Sequence, residues 1–205
     1  DIYDAVFFIR ESLIVTEDLT LDTTDNEYEN NSIVIDGCTL TLNGPHTFSN
    51  IHILSGGILT HDATVDSFDL TVTGDLSVDA GGSINMDGLG YAGGSGPGAG
   101  GNHSYNAGGG GYGGRGGRSN GGDTYGSLTE PLDLGSGGGH DGSSYGGQGG
   151  GLIHLAVDGV LQNDGIITAN GYNGGTSDAG GGSGGSIYIL TNTLAGVGTI
   201  SVNGG

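Results

Sequence analysis

Residues 149–171 read GGGLIHLAVDGVLQNDGIITANG. Apolar and polar residues alternate at period two, the mark of half-buried strands. Glycine and asparagine or aspartate cut the run into short pieces, each too brief for a helix. The same phrase occurs before and after it, as DLTVTGDLSVDAGGSINMDG over 69–88 and SIYILTNTLAGVGTISVNG over 186–204. Each copy ends on apolar, Asp or Asn, Gly: Met86-Asp87-Gly88, Ala169-Asn170-Gly171 and Val202-Asn203-Gly204. Three short strands in about twenty residues, with turns at the corners, are what one coil of a parallel β-helix requires.

Upstream the pattern continues. Paired apolar positions recur at Leu13/Val15, Ile33/Ile35, Ile51/Ile53 and Leu70/Val72, in steps of 20, 18 and 19 residues. Turn residues separate the strands at Asp36-Gly37, Asn43-Gly44-Pro45, Ser55-Gly56-Gly57 and Ala80-Gly81-Gly82. The spacing predicts an all-β, right-handed parallel β-helix of about six coils, roughly 30 Å tall at one strand spacing per coil. The inward residues Ile33/Ile35, Ile53, Leu70/Val72, Ile153/Leu155 and Ile187/Ile189 are expected to stack coil on coil, with Asn170 and Asn203 at equivalent corners. One continuous domain is expected, with N-terminal coils over 1–88, a glycine-rich insertion over 89–151 and C-terminal coils over 152–205.

Of the 50 glycines, 29 lie in the 64 positions from Gly88 to Gly151. Such composition reads by default as a flexible linker. The expected form is instead a lateral bundle of extended, polyproline-II-like segments, packed backbone to backbone where only glycine fits. On that reading, valine at Gly110 or Gly114 disrupts the block. Solenoid insertions leave from a fixed corner, so this excursion and the shorter one over 172–185 are expected side by side.

Three arginines, no lysine and 23 acidic residues give a formal charge of −20. Such a surface repels nucleic acid and acidic polysaccharides, so the glycine-arginine run at Arg115 and Arg118 is expected to bind acids or carbonyls within its own loop. No stretch approaches the length of a membrane-spanning helix, and Asp1–Ile9 is too short and acidic for a signal peptide. Cys38 alternates with Leu40 and Leu42 and reads as core. Sequons at Asn30 and Asn102 are candidate N-glycosylation sites, and with the composition they point to an extracellular or cell-surface protein.

Catalytic signals are sparse. The histidines show no zinc spacing, and His140-Asp141 is a contiguous pair that does not by itself orient an imidazole. Asp66, Asp69, Asp75, Asp79 and Asp87 fall near corners, where calcium is a possible guest, although solvated surface acids are the simpler reading. Tyr91, Tyr105, Tyr112, Tyr125 and Tyr145 punctuate the glycine block. Tyrosine packs on flat glycine surfaces and equally stacks on sugar rings, so Tyr91, Tyr105, Tyr112 and Tyr145 are candidate glycan contacts.

The string Tyr125-Gly126-Ser127, Glu130-Pro131, Leu134-Gly135-Ser136-Gly137-Gly138-Gly139, followed by the two C-terminal coils, resembles the glycine-rich β-helix modules of large secreted and cell-surface proteins of protists and bacteria. These include adhesin-like proteins and mastigoneme-type glycoproteins of protist flagellar hairs. The resemblance covers about 83–205 and implies a structural or adhesive role without catalytic residues. The expected function is an extracellular structural module of a fibre, appendage or filament, assembling with itself or similar proteins through coil edges and glycine faces. The alternatives are a glycan-binding adhesin module and, third, a polysaccharide lyase or glycosidase.

Overall fold

The structure, a computed structural model, describes residues 12–63, 68–175 and 178–205. Among these residues, thirteen strands form one continuous parallel sheet that coils into a β-helix. The first face stacks β1 (Leu13–Val15), β3 (Ser32–Ile35), β5 (Asn50–Ile53), β8 (Leu76–Val78) and the second legs of β10 (Leu152–Asn163) and β12 (Ser186–Ala195). The second face stacks β2 (Leu19–Asp22), the first leg of β4 (Thr39–Phe48), β6 (Ile58–Thr60), β9 (Ser83–Asn85), β11 (Ile166–Thr168) and β13 (Thr199–Ser201). A third face, made by the second leg of β4, β7 (Phe68–Val72) and the first legs of β10 and β12, closes the section. Every pairing is parallel, and each of the first two faces is six strands high, matching the expected six coils.

Alternation sets the direction of each side chain. On the first face Ile33 stands against Ile51, Ile51 against Leu76, and Leu76 against Leu161, all essentially without exposed surface. On the second, Leu40, Leu59, Ile84 and Ile167 form a similar row. The third face brings in the bulkier Phe48 and Phe68. At the corner from first to second face the chain turns with positive φ at Gly37, Gly56, Gly81 and Gly196, a region that Cβ disfavours. Cys38 is buried in the core as expected, and its thiol donates to the Val15 carbonyl at 3.1 Å.

The stacking expectation needs one correction. Leu70/Val72 do not continue the row of Ile33/Ile35 and Ile51/Ile53; Leu76/Val78 do. Leu70 belongs to the third face, opposite His46 and Leu155, with Val72 opposite Val157, so it also sits two residues away from the expected match to Ile153. The reason is that the step between neighbouring faces of an enlarged coil mimics the length of a whole coil. Ile153/Leu155 and Ile187/Ile189 do stack in register.

Asn170 and Asn203 occupy equivalent corners, as the repeated phrase predicts. Asn203 N–H donates to Asn170 Oδ1 at 2.7 Å, and Asn170 N–H donates to Asp87 Oδ1 at 2.6 Å. Earlier in the stack, Asn43 Nδ2 bridges Asp22 and Asp62 at 3.2 and 2.9 Å. Side-chain oxygens that take up the corner N–H of the next coil satisfy donors that the ladder leaves open.

Past this corner the chain makes its excursions, and both lie in one glycine-rich body. Gly110 N–H donates to Gly181 O at 2.9 Å, Gly147 to Gly180 O at 2.8 Å and Gly150 to Ser183 O at 2.9 Å. The bonding has a period of three. Gly108 and Gly111 both donate into the segment 98–101, while Gly109 donates to Gly117 O and Gly110 to Gly181 O. Gly135 and Gly138 likewise donate to Gly150 O and Gly147 O. Three successive N–H groups aimed at three neighbours are what a polyproline-II helix, with three residues per turn, presents. The insertion is therefore the expected bundle of extended segments and not a loose linker.

Space between segments is minimal. A Cβ on Gly110 would stand 2.3 Å from the Ser136 carbonyl oxygen, and one on Gly180 would stand 1.9 Å from that of Gly108. Gly114, by contrast, has nothing within 4 Å of its Cβ position, so the expectation that both Gly110 and Gly114 exclude a side chain is corrected for Gly114.

His61 lies inside the coil stack, 2% exposed, with its ring 6.1 Å from that of Phe68. Its Nδ1–H donates to the Asp62 carbonyl at 2.8 Å, and Nε2 has no partner among the described residues. Burial lowers its pKa below the ordinary histidine value of 6.5, the Asp62 carbonyl opposing only in part. An unfolded chain therefore takes up a proton here at higher pH than the folded one does. The penalty is absent above about pH 6.5 and grows as pH falls from there to the folded pKa, by at most about 1.4 kcal/mol per pH unit. Urea unfolding of the native chain and of His61→Leu at pH 7.5, 6.5 and 5.5 is expected to show the native chain losing stability relative to the variant on acidification. The difference between the two isolates His61 from the other five histidines.

Candidate functional site

Two surfaces carry the functional readings: the open face of the sixth coil and the tyrosine-bearing side of the glycine bundle. The sixth coil is β12 and β13, paired to β10 and β11 on one side only among the described residues. Its inward residues repeat those beneath: Ile187 over Ile153, Ile189 over Leu155, Leu194 over Leu161 and Ile200 over Ile167. The lower partners are fully buried, whereas Leu194 is 55% and Ile200 40% exposed. This end thus presents an apolar cross-section rimmed by unpaired backbone N–H and C=O groups.

The tyrosines divide into packing and surface residues. Tyr112 is buried, with its ring edge-on to Tyr125 at 4.8 Å and its hydroxyl hydrogen-bonded to Ser186 Oγ at 2.7 Å, while Ser186 Oγ donates to the Asp133 carbonyl at 2.5 Å. Most of its surface is covered, and what remains lines a separate groove of ≈ 490 Å³ beside Arg115 and Pro131. Tyr125 is also structural: its hydroxyl donates to the Leu134 carbonyl and accepts from Ser136 Oγ at 2.9 Å, and burial pushes its pKa up to about 12. Tyr91 lies across Gly96, where a Cβ would strike the ring at 2.7 Å. Tyr105 and Tyr145 are exposed at 76% and 82%.

Tyr145 lines a groove of volume ≈ 500 Å³, which it shares with His140, Gln148, Tyr172, Asn173 and the bundle backbone. Tyr172 is half exposed and was not singled out from the sequence, because it stands just beyond the long glycine run and meets Tyr145 only after the two excursions pack together. His140 Nδ1 accepts the Gly146 N–H at 3.0 Å, and its ring stands edge-on to Tyr145 at 5.4 Å. Asp141 meanwhile accepts the backbone N–H groups of Ser143 and Ser144 at 2.8 and 2.7 Å. The contiguous pair is thus built into a turn rather than into an acid–base dyad.

Both sequon asparagines are exposed, Asn30 with φ +59° and Asn102 with its Oδ1 accepting the His140 N–H at 2.8 Å. The acids named for calcium are engaged separately. Asp69 pairs with His154 at 3.0 Å and Asp79 with His52 at 2.9 Å, while Asp75 Oδ1 accepts the Val160 N–H at 2.8 Å and Asp87 holds Asn170. Asp66 lies outside the described residues. Among the described residues, no three His, Cys, Asp or Glu side chains converge as a metal site. Arg118 donates to the Ala107 and Asp178 carbonyls at 3.1 and 3.0 Å, and Arg115 faces Asp123 at 3.7 Å, both within the loop layer as expected. No protein-family model, no curated protein and no solved structure matches the chain.

Proposed function

We propose that the chain is an extracellular structural module of a fibre, appendage or cell-surface filament, built to receive a further parallel β-coil on its sixth. The observation that supports this is the continuation of the buried rows into Leu194 and Ile200, where nothing covers them among the described residues. An open ladder with an apolar section is stabilised by another strand layer or by a cap that covers it, and a further coil continues both the ladder and the inward rows. The segment after the sixth coil joins the glycine body in turn: Gly205 N–H donates to Gly182 O at 2.9 Å. Growth by coil and by glycine segment would then proceed together.

The formal charge of −20 opposes contact between copies, so association is expected to strengthen when salt screens it. Sedimentation of the native chain at rising concentration and salt should show rising mass. Ile200→Lys places a charge in the open section, where the exposed site tolerates it, and should hold the chain monomeric. A chain that stays monomeric under all conditions, or an Ile200→Lys variant that associates as the native chain does, overturns the reading.

A further inference from the structure

The groove beside Tyr145 has the composition of a carbohydrate site. Two aromatic rings, Tyr145 at 82% and Tyr172 at 51% exposure, stand at its border. Neither hydroxyl makes a hydrogen bond among the described residues. Each ring touches the bundle on one side only, Tyr145 at His140 and Tyr172 at Gly88, and large phenol faces with free polar tips are what binding surfaces use. The volume, ≈ 500 Å³, falls within the range of small-molecule sites, about 300–1,000 Å³.

The rings are held on rigid backbone. Gly175 N–H donates to the Tyr145 carbonyl at 3.0 Å, and Tyr172 N–H donates to the Gln148 carbonyl at 2.8 Å. These bonds tie the two tyrosine-bearing segments together. Tyr172 also lies over Gly88, where a Cβ would strike its ring at 2.2 Å. Little ordering is left for a ligand to impose, and preorganisation of this kind favours affinity.

Polar groups complete the set. Gln148 and Asn173 are exposed and present amide donors and acceptors. Because His140 Nδ1 accepts from Gly146, the neutral ring carries its proton on Nε2 and is a donor there. Among the described residues no arginine lines the groove, and the chain has no lysine. A uronate or sulfate therefore finds no counter-charge and meets an acidic protein, while a neutral sugar offers its apolar C–H face to tyrosine and its hydroxyls to the amides.

We propose that this groove, bordered by Tyr145 and Tyr172 and served by His140, Gln148 and Asn173, binds a neutral hexose oligosaccharide. The site is independent of the coil edge, so it stands whether or not the chain assembles.

The test is titration calorimetry of the full chain with cellohexaose, laminarihexaose and mannohexaose, and with hexagalacturonate as the acidic comparator. Binding of at least one neutral hexamer is expected, weakened about tenfold or more by Tyr145→Ala and changed less than about threefold by Tyr145→Phe, which keeps the ring. Tyr105→Ala, at an equally exposed ring outside the groove, is expected to leave it unchanged. Because Tyr145 is so exposed, its variants should fold as the native chain does, and circular dichroism checks this. The chain has no tryptophan, so intrinsic fluorescence reports tyrosine alone, and its titration midpoint with sugar should move about tenfold or more to higher concentration in Tyr145→Ala. The proposal is overturned if none of the three neutral hexamers binds at 10 mM, if Tyr145→Ala binds as tightly as the native chain, or if hexagalacturonate binds best.

Discussion

Gly110→Ala is expected to destabilise the chain by about 3 kcal/mol, at the upper end of overpacking costs, whereas Gly114→Ala is expected to change stability by less than about 0.5 kcal/mol. The two positions are four residues apart in one glycine run and look equivalent in sequence. At Gly110 the new methyl carbon meets the Ser136 carbonyl at 2.3 Å and the Ser183 nitrogen at 3.0 Å. Both neighbours are backbone and both are bonded into the bundle, Ser183 N–H to Ser136 O at 2.9 Å, so neither can swing aside as a side-chain tip would. At Gly114 the same carbon enters open space. For a chain of this size 3 kcal/mol corresponds to roughly 6–12 °C in melting temperature, which differential scanning calorimetry resolves easily. Valine at Gly110 should do more damage still, and hydrogen exchange should speed up across the segments bonded to it. Equal effects at the two positions would show that backbone contact is not what orders the bundle.

The row Leu76, Leu161, Leu194 provides the second large effect and links stability to assembly. Leu161→Ala removes a side chain with no exposed surface from between two others and is expected to cost about 2–5 kcal/mol. Leu194→Ala, one coil above, removes a side chain already 55% exposed, and in the dilute chain is expected to cost less than about 1 kcal/mol. If the sixth coil receives another, that asymmetry should shrink with concentration, since Leu194 then becomes an interior residue like Leu161. Urea unfolding of both variants at low and high protein concentration measures it. A Leu194→Ala cost that stays small at every concentration would argue against burial of that end.

The coil phrase was readable because its information is local. Alternation assigns each residue to the inside or outside, and the terminal Asp87-Gly88, Asn170-Gly171 and Asn203-Gly204 mark the same corner three times. Parallel stacking then follows, since only coil-on-coil register buries all the inward rows together. The register of Leu70 was not readable. Two nearly equal spacings compete there, and the choice depends on how far the corner between second and third face is extended. Tyr112 and Tyr145 illustrate the same limit in the candidate site. Both are flanked by glycine and serine or glycine alone, yet one is sealed against Tyr125 and Ser186 and the other stands free.

From sequence alone came the all-β parallel coil, its six layers, the shared corner of the two excursions and the burial of Cys38. Those features are set by periodicity and by the placement of glycine along one stretch of chain. The tertiary structure alone decided which glycines tolerate no side chain, which tyrosines remain open, and that Tyr172 joins Tyr145 across a groove. Each of these depends on which segments of a nearly featureless glycine block become neighbours. With three bonding directions per polyproline-II turn and no side chains to distinguish them, that choice is made by how the strands carry the segments into place.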